Sequence, residues 1–115
     1  MYRNVSTVIV SMVAAGALVF VGMAPASAFA SKDTGPRSCS SGSAAVQVKG
    51  RGVPGGDYLA SSYYTGATGW VDRYWYGITV LTTRAQYSGR SSFSDSTAIS
   101  GGTLVLSETY SFCDY

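Results

Sequence analysis

The sequence predicts a small all-β domain that is closed by one disulfide and follows a secretory signal peptide. Apolar and polar residues alternate in several short segments after residue 44, and glycine-containing turn signals recur between these segments. No segment after the apolar N-terminal run shows the spacing of an amphipathic helix. We therefore expect a single-domain antiparallel β-sandwich, or a partly closed barrel, of about six strands.

The first 28 residues have the pattern of a helical signal peptide. Arg3 precedes an uncharged apolar run over 5–23, and small residues then offer cleavage after Ala28 or after Ala30. An uncleaved anchor is the alternative, because the run approaches the roughly 20 residues that span a bilayer. The alanine-rich end favours processing, so we expect a secreted, extracellular protein with no stable membrane anchor after cleavage.

The composition of residues 29–43 predicts a flexible N-terminal segment, since serine, glycine and charged residues leave little to bury. Cys39 lies in this segment and Cys113 lies near the C-terminus. An even cysteine count in an exported chain indicates a disulfide, and two cysteines allow one pairing. Their spacing matches neither a redox motif nor a zinc-ligand pattern, so we expect a structural role.

The predicted β-domain covers residues 44–115. Alternation predicts its first strand, Pro54-Gly55-Gly56 and Gly66 to Gly69 predict turns, and Gly101-Gly102 predicts a tight hairpin. The expected strands before that hairpin are 44–49, 57–64, 70–76, 78–87 and 92–99.

The last strand follows the hairpin and has the clearest pattern. On one face it carries Leu104, Leu106, Tyr110 and Phe112, and Glu108 falls on the same face. The pattern predicts that this is the apolar, buried face. Glu108 then lies either near an edge of the sheet or on a face that is partly exposed to solvent.

Several kinds of chemistry are improbable for this chain. It has no histidine, so a Ser-His-Asp or Cys-His nucleophile system cannot form. We expect no enzyme activity, no catalytic residues, no metal site and no cofactor. A net charge of +2 without a basic run also argues against nucleic-acid binding. The carboxylates that remain for a weak envelope-glycan hydrolase, with Asp72 paired to Glu108 or Asp95 as examples, are Asp33, Asp57, Asp72, Asp95, Glu108 and Asp114.

Aromatic residues are concentrated in the middle of the chain. If Val71 and Trp75 point inward, alternation places Trp70, Tyr74 and Tyr76 in an outward row. Tyrosine and tryptophan are common strand formers, which gives a purely structural interpretation. They also supply rigid contact area at binding surfaces. The candidate binding residues, for a protein or an envelope glycan, are Trp70, Arg73, Tyr74, Trp75 and Tyr76.

In size and composition, a signal peptide before a short domain rich in serine, glycine and tyrosine, the chain resembles the lactococcin 972 type of secreted bacteriocin. The resemblance covers no specific motif, and the terminal cysteine pair departs from it. The outline is also similar to small secreted inhibitors built on a disulfide-tied β-sandwich. We expect a secreted, non-enzymatic binding protein, with an antibacterial protein and a glycan hydrolase as alternatives.

Overall fold

The computed structural model of the protein describes residues 29–115. The predicted signal peptide, residues 1–28, lies outside the described residues. Within 29–115, no helix is long and apolar enough to cross a membrane.

The described chain is built almost entirely from short strands. In chain order they are β1 Ala30–Asp33, β2 Arg37–Ser38, β3 Ser43–Arg51, β4 Tyr58–Thr65, β5 Gly69–Tyr76, β6 Thr82–Tyr87, β7 Ser92–Phe93, β8 Asp95–Ser100, β9 Thr103–Leu104 and β10 Tyr110–Asp114. A single turn of 3₁₀ helix, Leu106–Glu108, lies between β9 and β10.

The strands form three antiparallel sheets. In the first sheet β3 is central, with β6 on one side and β9 followed by β10 on the other. The second sheet has the order β1-β8-β4-β5, and β2 pairs with β7 in a small third sheet. The prediction of an all-β, antiparallel fold is confirmed, although the chain divides into more and shorter strands than the pattern indicates.

One hydrophobic core lies between the two larger sheets. Alternate residues of β3 point into it, and so do alternate residues of β4. Small side chains dominate, so the sheets contribute many modest contacts rather than a few large ones. This face-to-face packing of two sheets is sandwich-like. The buried members of the cluster are Cys39, Ala44, Val46, Val48, Leu59, Tyr63, Ile78, Phe93 and Ala98.

The disulfide that the cysteine count predicts is present. Cys39 and Cys113 are bonded, with their Cα atoms 5.7 Å apart, and they tie the segment after β2 to the end of β10. Arg37 reinforces this junction, because its guanidinium donates to the backbone oxygen of Ser111 at 2.8 Å and to the Ser111 hydroxyl at 3.2 Å.

The segment 29–43, whose composition predicts little order, contains β1 and β2. β1 pairs along β8, where Lys32 lies opposite Ala98. The Lys32 ammonium also reaches across to the 3₁₀ turn and donates to the carbonyls of Leu106 and Thr109 at 2.7 and 2.6 Å. Backbone pairing to β8 and the hydrogen bonds of the long Lys32 side chain therefore keep in place a segment that has few apolar side chains.

Two predicted strands are shorter than expected. Strand β6 begins at Thr82 rather than at Ile78. Ile78 is used for loop contacts instead: its N–H donates to the carbonyl of Asp57, and its carbonyl accepts from Gly52. The predicted strand 92–99 is divided at Ser94, whose N–H donates a hydrogen bond to the carbonyl of Tyr64.

The prediction of which face of the last strand is buried is wrong. The 3₁₀ turn interrupts the alternation, with the N–H of Glu108 donating to the carbonyl of Val105. Leu106 is therefore 56% exposed, while Thr109 is completely buried. The buried Thr109 hydroxyl has both of its hydrogen-bonding roles filled, because it accepts from the N–H of Lys49 and donates to the carbonyl of Val105. Glu108 lies at the surface and pairs with Lys49.

Candidate functional site

The candidate site is the outer face of the second sheet, which points away from the core. It is built mainly by the β4–β5 hairpin, whose register begins at the Thr65–Gly69 pair. The larger sheets share a core on the side of Leu59 and Tyr63, so alternation directs the other residues of β4 outward. From one end of the hairpin to the other, the outward cross-strand pairs are Tyr64 with Trp70, Ser62 with Asp72, Ala60 with Tyr74 and Tyr58 with Tyr76.

Five rings on this surface form two groups, and together we call them the aromatic face: Tyr58, Tyr64, Trp70, Tyr74 and Tyr76. In one group the rings of Tyr64 and Trp70 are 5.4 Å apart. In the other, Tyr74 lies 6.0 Å from Tyr58 and stacks on Tyr76 at 5.8 Å with an angle of 9° between the planes. Three of these rings are exposed, with Trp70 at 45% and Tyr76 at 72%, while Tyr58 and Tyr74 are half-buried.

Small side chains lie between the two ring groups. Ala60 and Ser62 are buried although they point outward, because the neighbouring positions along and across the strands carry rings. The Ser62 hydroxyl donates to the Asp72 carboxylate. The result is a polar pair set between aromatic groups on both sides. Such a surface offers ring faces and a carboxylate to one ligand.

The charges on the outer face are all negative. Asp72 lies on β5, and Asp33 and Asp95 extend outward from β1 and β8. The outward positions of these strands carry no lysine or arginine, and in residues 29–115 Lys49–Glu108 is the one ion pair that forms. Burial raises the pKa of Asp95 above its usual value, and the nearby Asp33 raises it further, while the Ser96 N–H partly opposes the shift.

The structure divides the five predicted binding residues between two faces. Trp70, Tyr74 and Tyr76 lie on the outer face, as the alternation predicts when Val71 and Trp75 point inward. Trp75 and Val71 pack against the core. Arg73 lies on the same side as Trp75, and its guanidinium carbon is 5.5 Å from the centre of the Trp75 ring. Arg73 and Trp75 therefore do not contribute to the aromatic face.

A buried glutamine fixes the inner side of the same hairpin. Gln86 of β6 accepts a hydrogen bond from the Ser61 hydroxyl at 2.7 Å and donates to the carbonyl of Val71 at 3.0 Å. It thereby connects the first sheet to both β4 and β5. This connection holds β5 in place from behind while its outer face stays open.

Sequence reasoning missed three members of the site, Tyr58, Tyr64 and Asp72. The signal that could have found them is the turn at Gly66–Gly69, because a hairpin turn sets which residues lie opposite one another. Pairing Thr65 with Gly69 puts Tyr64 beside Trp70 and Ser62 beside Asp72.

Of the carboxylate pairs considered for hydrolysis, Asp72 with Glu108 is not brought together. Asp72 lies on the outer face of the second sheet, whereas Glu108 is bonded to Lys49 on the first sheet. Asp95 shares the outer face with Asp72, but strand β4 lies between their strands. Within the described part of the chain, no three potential metal-ligating side chains cluster.

No family model, no curated protein and no solved structure matches this chain. The functional interpretation therefore rests on the geometry of the aromatic face and on the sequence.

Proposed function

We propose that the protein is a secreted, non-enzymatic binding module that holds its target on the aromatic face. The single observation that carries this proposal is the set of ordered, exposed rings, among which Trp70 and Tyr76 are prominent. Folding leaves this apolar area in contact with water, although the chain has a small core in which such side chains would contribute stability.

The composition of the surface supports a binding role. Aromatic side chains have few rotatable bonds, so they make large contacts at a low cost in conformational entropy. The rings here already touch one another, which reduces their remaining freedom before a target arrives. The signal-peptide pattern and the disulfide support action outside the cell, because disulfides persist in oxidising compartments.

The test compares two triple variants of the purified protein. The first is Trp70→Ala with Tyr74→Ala and Tyr76→Ala. The matched control, Tyr87→Ala with Leu106→Ala and Tyr110→Ala, removes three exposed apolar side chains that lie outside the aromatic face. Each protein is immobilised and exposed to culture medium and to envelope fragments.

We expect the wild type and the control to retain the same target and the first variant to lose it. Each variant is first checked by circular dichroism and by urea unfolding, which separate loss of binding from loss of fold. Equal retention of the target by both folded variants would show that the aromatic face is not the binding surface.

A further inference from the structure

Strand β5 is an edge strand, since among the described residues its one strand partner is β4. It is eight residues long, whereas the edge strand β6 has six and the edge strand β1 has four. A long edge presents backbone donors and acceptors to which another chain can bond.

The direction of these backbone groups follows from the bonds of β4. The carbonyl of Tyr58 accepts from Gly101 at 3.0 Å, and the carbonyl of Tyr64 accepts from Ser94 at 2.9 Å. Both donors lie on the β8 side. In an antiparallel ladder the residues of one strand bond alternately to its two neighbours. The even-numbered residues of β4 therefore bond toward β8, and the odd-numbered residues bond toward β5.

The same alternation determines the direction of the backbone groups of β5. Val71, Arg73 and Trp75 lie opposite the odd-numbered residues of β4, so their backbone groups bond to that strand. Trp70, Asp72 and Tyr76 then direct their N–H and C=O groups toward the open edge. Within residues 29–115 these groups have no backbone partner there. The side chains of these three residues also lie on the aromatic face.

The chemistry beside this edge is acidic and aromatic. Asp72 occupies the middle of β5, and Asp95 and Asp33 add negative charge to the same face from two and three strands away, without any cation. Aromatic ring faces attract lysine and arginine side chains. A strand added to β5 would place its outward side chains at every second residue, about 6.4 to 6.8 Å apart, as β5 does with its own.

We propose that β5 takes up an extended segment of a partner protein by antiparallel strand addition, and that this segment carries lysine or arginine at alternate positions, above Asp72 and the rings. This inference rests on the proposed function and names the partner for the same face. Main-chain bonds to the edge would supply affinity, and the alternate basic side chains would supply specificity. The intervening residues would face Arg73 and Trp75, which disfavours lysine and arginine there.

Charge disfavours a second copy of this chain in the two self-paired registers that are centred on the charged residues of β5. A self-paired register centred on Asp72 places that carboxylate opposite its own copy, and one centred on Arg73 does the same with the guanidinium. Like charges directly opposite each other destabilise a strand pair.

The probe is a short synthetic peptide of alternating lysine and threonine, added to the purified ¹⁵N-labelled protein and followed by amide chemical shifts. We expect shifts centred on the N–H groups of Trp70, Asp72 and Tyr76. Asp72→Asn, which keeps a partner for the Ser62 hydroxyl, should weaken binding about two- to fivefold, as removal of an exposed ion pair implies.

Backbone N-methylation separates strand addition from charge attraction. In antiparallel addition the lysine residues lie opposite Trp70, Asp72 and Tyr76, so their N–H groups donate to β5. N-methylation at the lysines should abolish binding, whereas N-methylation at the threonines should leave it unchanged. A peptide with glutamate in place of lysine should not bind.

Three outcomes would overturn the inference: no localised shifts with the lysine peptide, equal binding of the two N-methylated peptides, or the same shifts with spermidine alone. Loss of the culture target by the aromatic-face variant, with no peptide binding, would reject strand addition and leave the proposed function standing. Peptide binding to the wild type, with the culture target retained by that variant, would reject the proposed function instead.

Discussion

Replacing Cys39 and Cys113 together by alanine should remove a large share of the stability of this domain. The bond joins residues 74 positions apart, so it constrains nearly the whole described chain. For a closed loop of this length the chain-entropy model gives about 4.5 kcal/mol. Small domains have unfolding free energies of about 5 to 15 kcal/mol in total. The double variant should therefore retain between about 0.5 and 10 kcal/mol, and at the lower end it would be close to its unfolding midpoint without denaturant.

Urea unfolding followed by tryptophan fluorescence measures this loss. The wild type in the presence of a reductant is the control, because it breaks the crosslink and keeps both sulfur atoms in place. The losses of unfolding free energy in the double variant and in the reduced wild type should agree within about 1 kcal/mol. The remaining difference comes from the lost packing of the buried Cys39 side chain. A loss of less than about 1 kcal/mol in both would refute the argument.

Two further predictions concern the backbone and pH. Gly101→Ala should destabilise by about 3 kcal/mol or more, because its Cβ would lie 2.0 Å from the backbone oxygen of Gly56; the control Gly66→Ala meets no atom within 4 Å and should change the urea midpoint little. Asp95→Asn should stabilise the protein near neutral pH. The folded state raises the pKa of Asp95, so its contribution to stability is present in acid and is lost as the pH rises through that raised value. Urea midpoints measured against pH should show the gain disappearing below about pH 4, and a constant difference would contradict it.

Strand content was predictable where a face is buried. The alternation of Val46 and Val48 with polar residues identifies β3, and the aromatic density around Trp75 identifies β5. The pattern failed where hydrogen bonds rather than apolar burial decide the outcome. Thr109 is buried by its bonds to the backbone of Val105 and Lys49, which no periodicity of apolar residues reveals. Similarly, β1 is held in place by backbone pairing to β8 and by the hydrogen bonds of the Lys32 ammonium, and amino-acid composition predicts neither interaction.

The candidate site was only partly predictable for the same kind of reason. Alternation along one strand places Trp70, Tyr74 and Tyr76 on one side, because it needs no knowledge of neighbouring strands. The acidic character of the face depends on strand order, since Asp33 and Asp95 arrive from β1 and β8, which are distant from β5 in the chain. Strand order is set by the packing of the whole domain and cannot be deduced from local pattern.

The exposed rings also determine how cleanly the proposal can be tested. Aromatic pairs in a sheet contribute about 0.2 to 1 kcal/mol each, so removing Trp70, Tyr74 and Tyr76, which form three such pairs, costs less than removing the disulfide. Trp75 behaves differently, because it packs on the core and supports Arg73. Trp75→Ala should destabilise by about 2 to 3 kcal/mol, somewhat less than loss of a fully buried ring, because Trp75 is partly buried against the core. The outer rings of β5 can therefore be changed with the fold intact, whereas a loss of binding in a Trp75 variant would report unfolding as much as recognition.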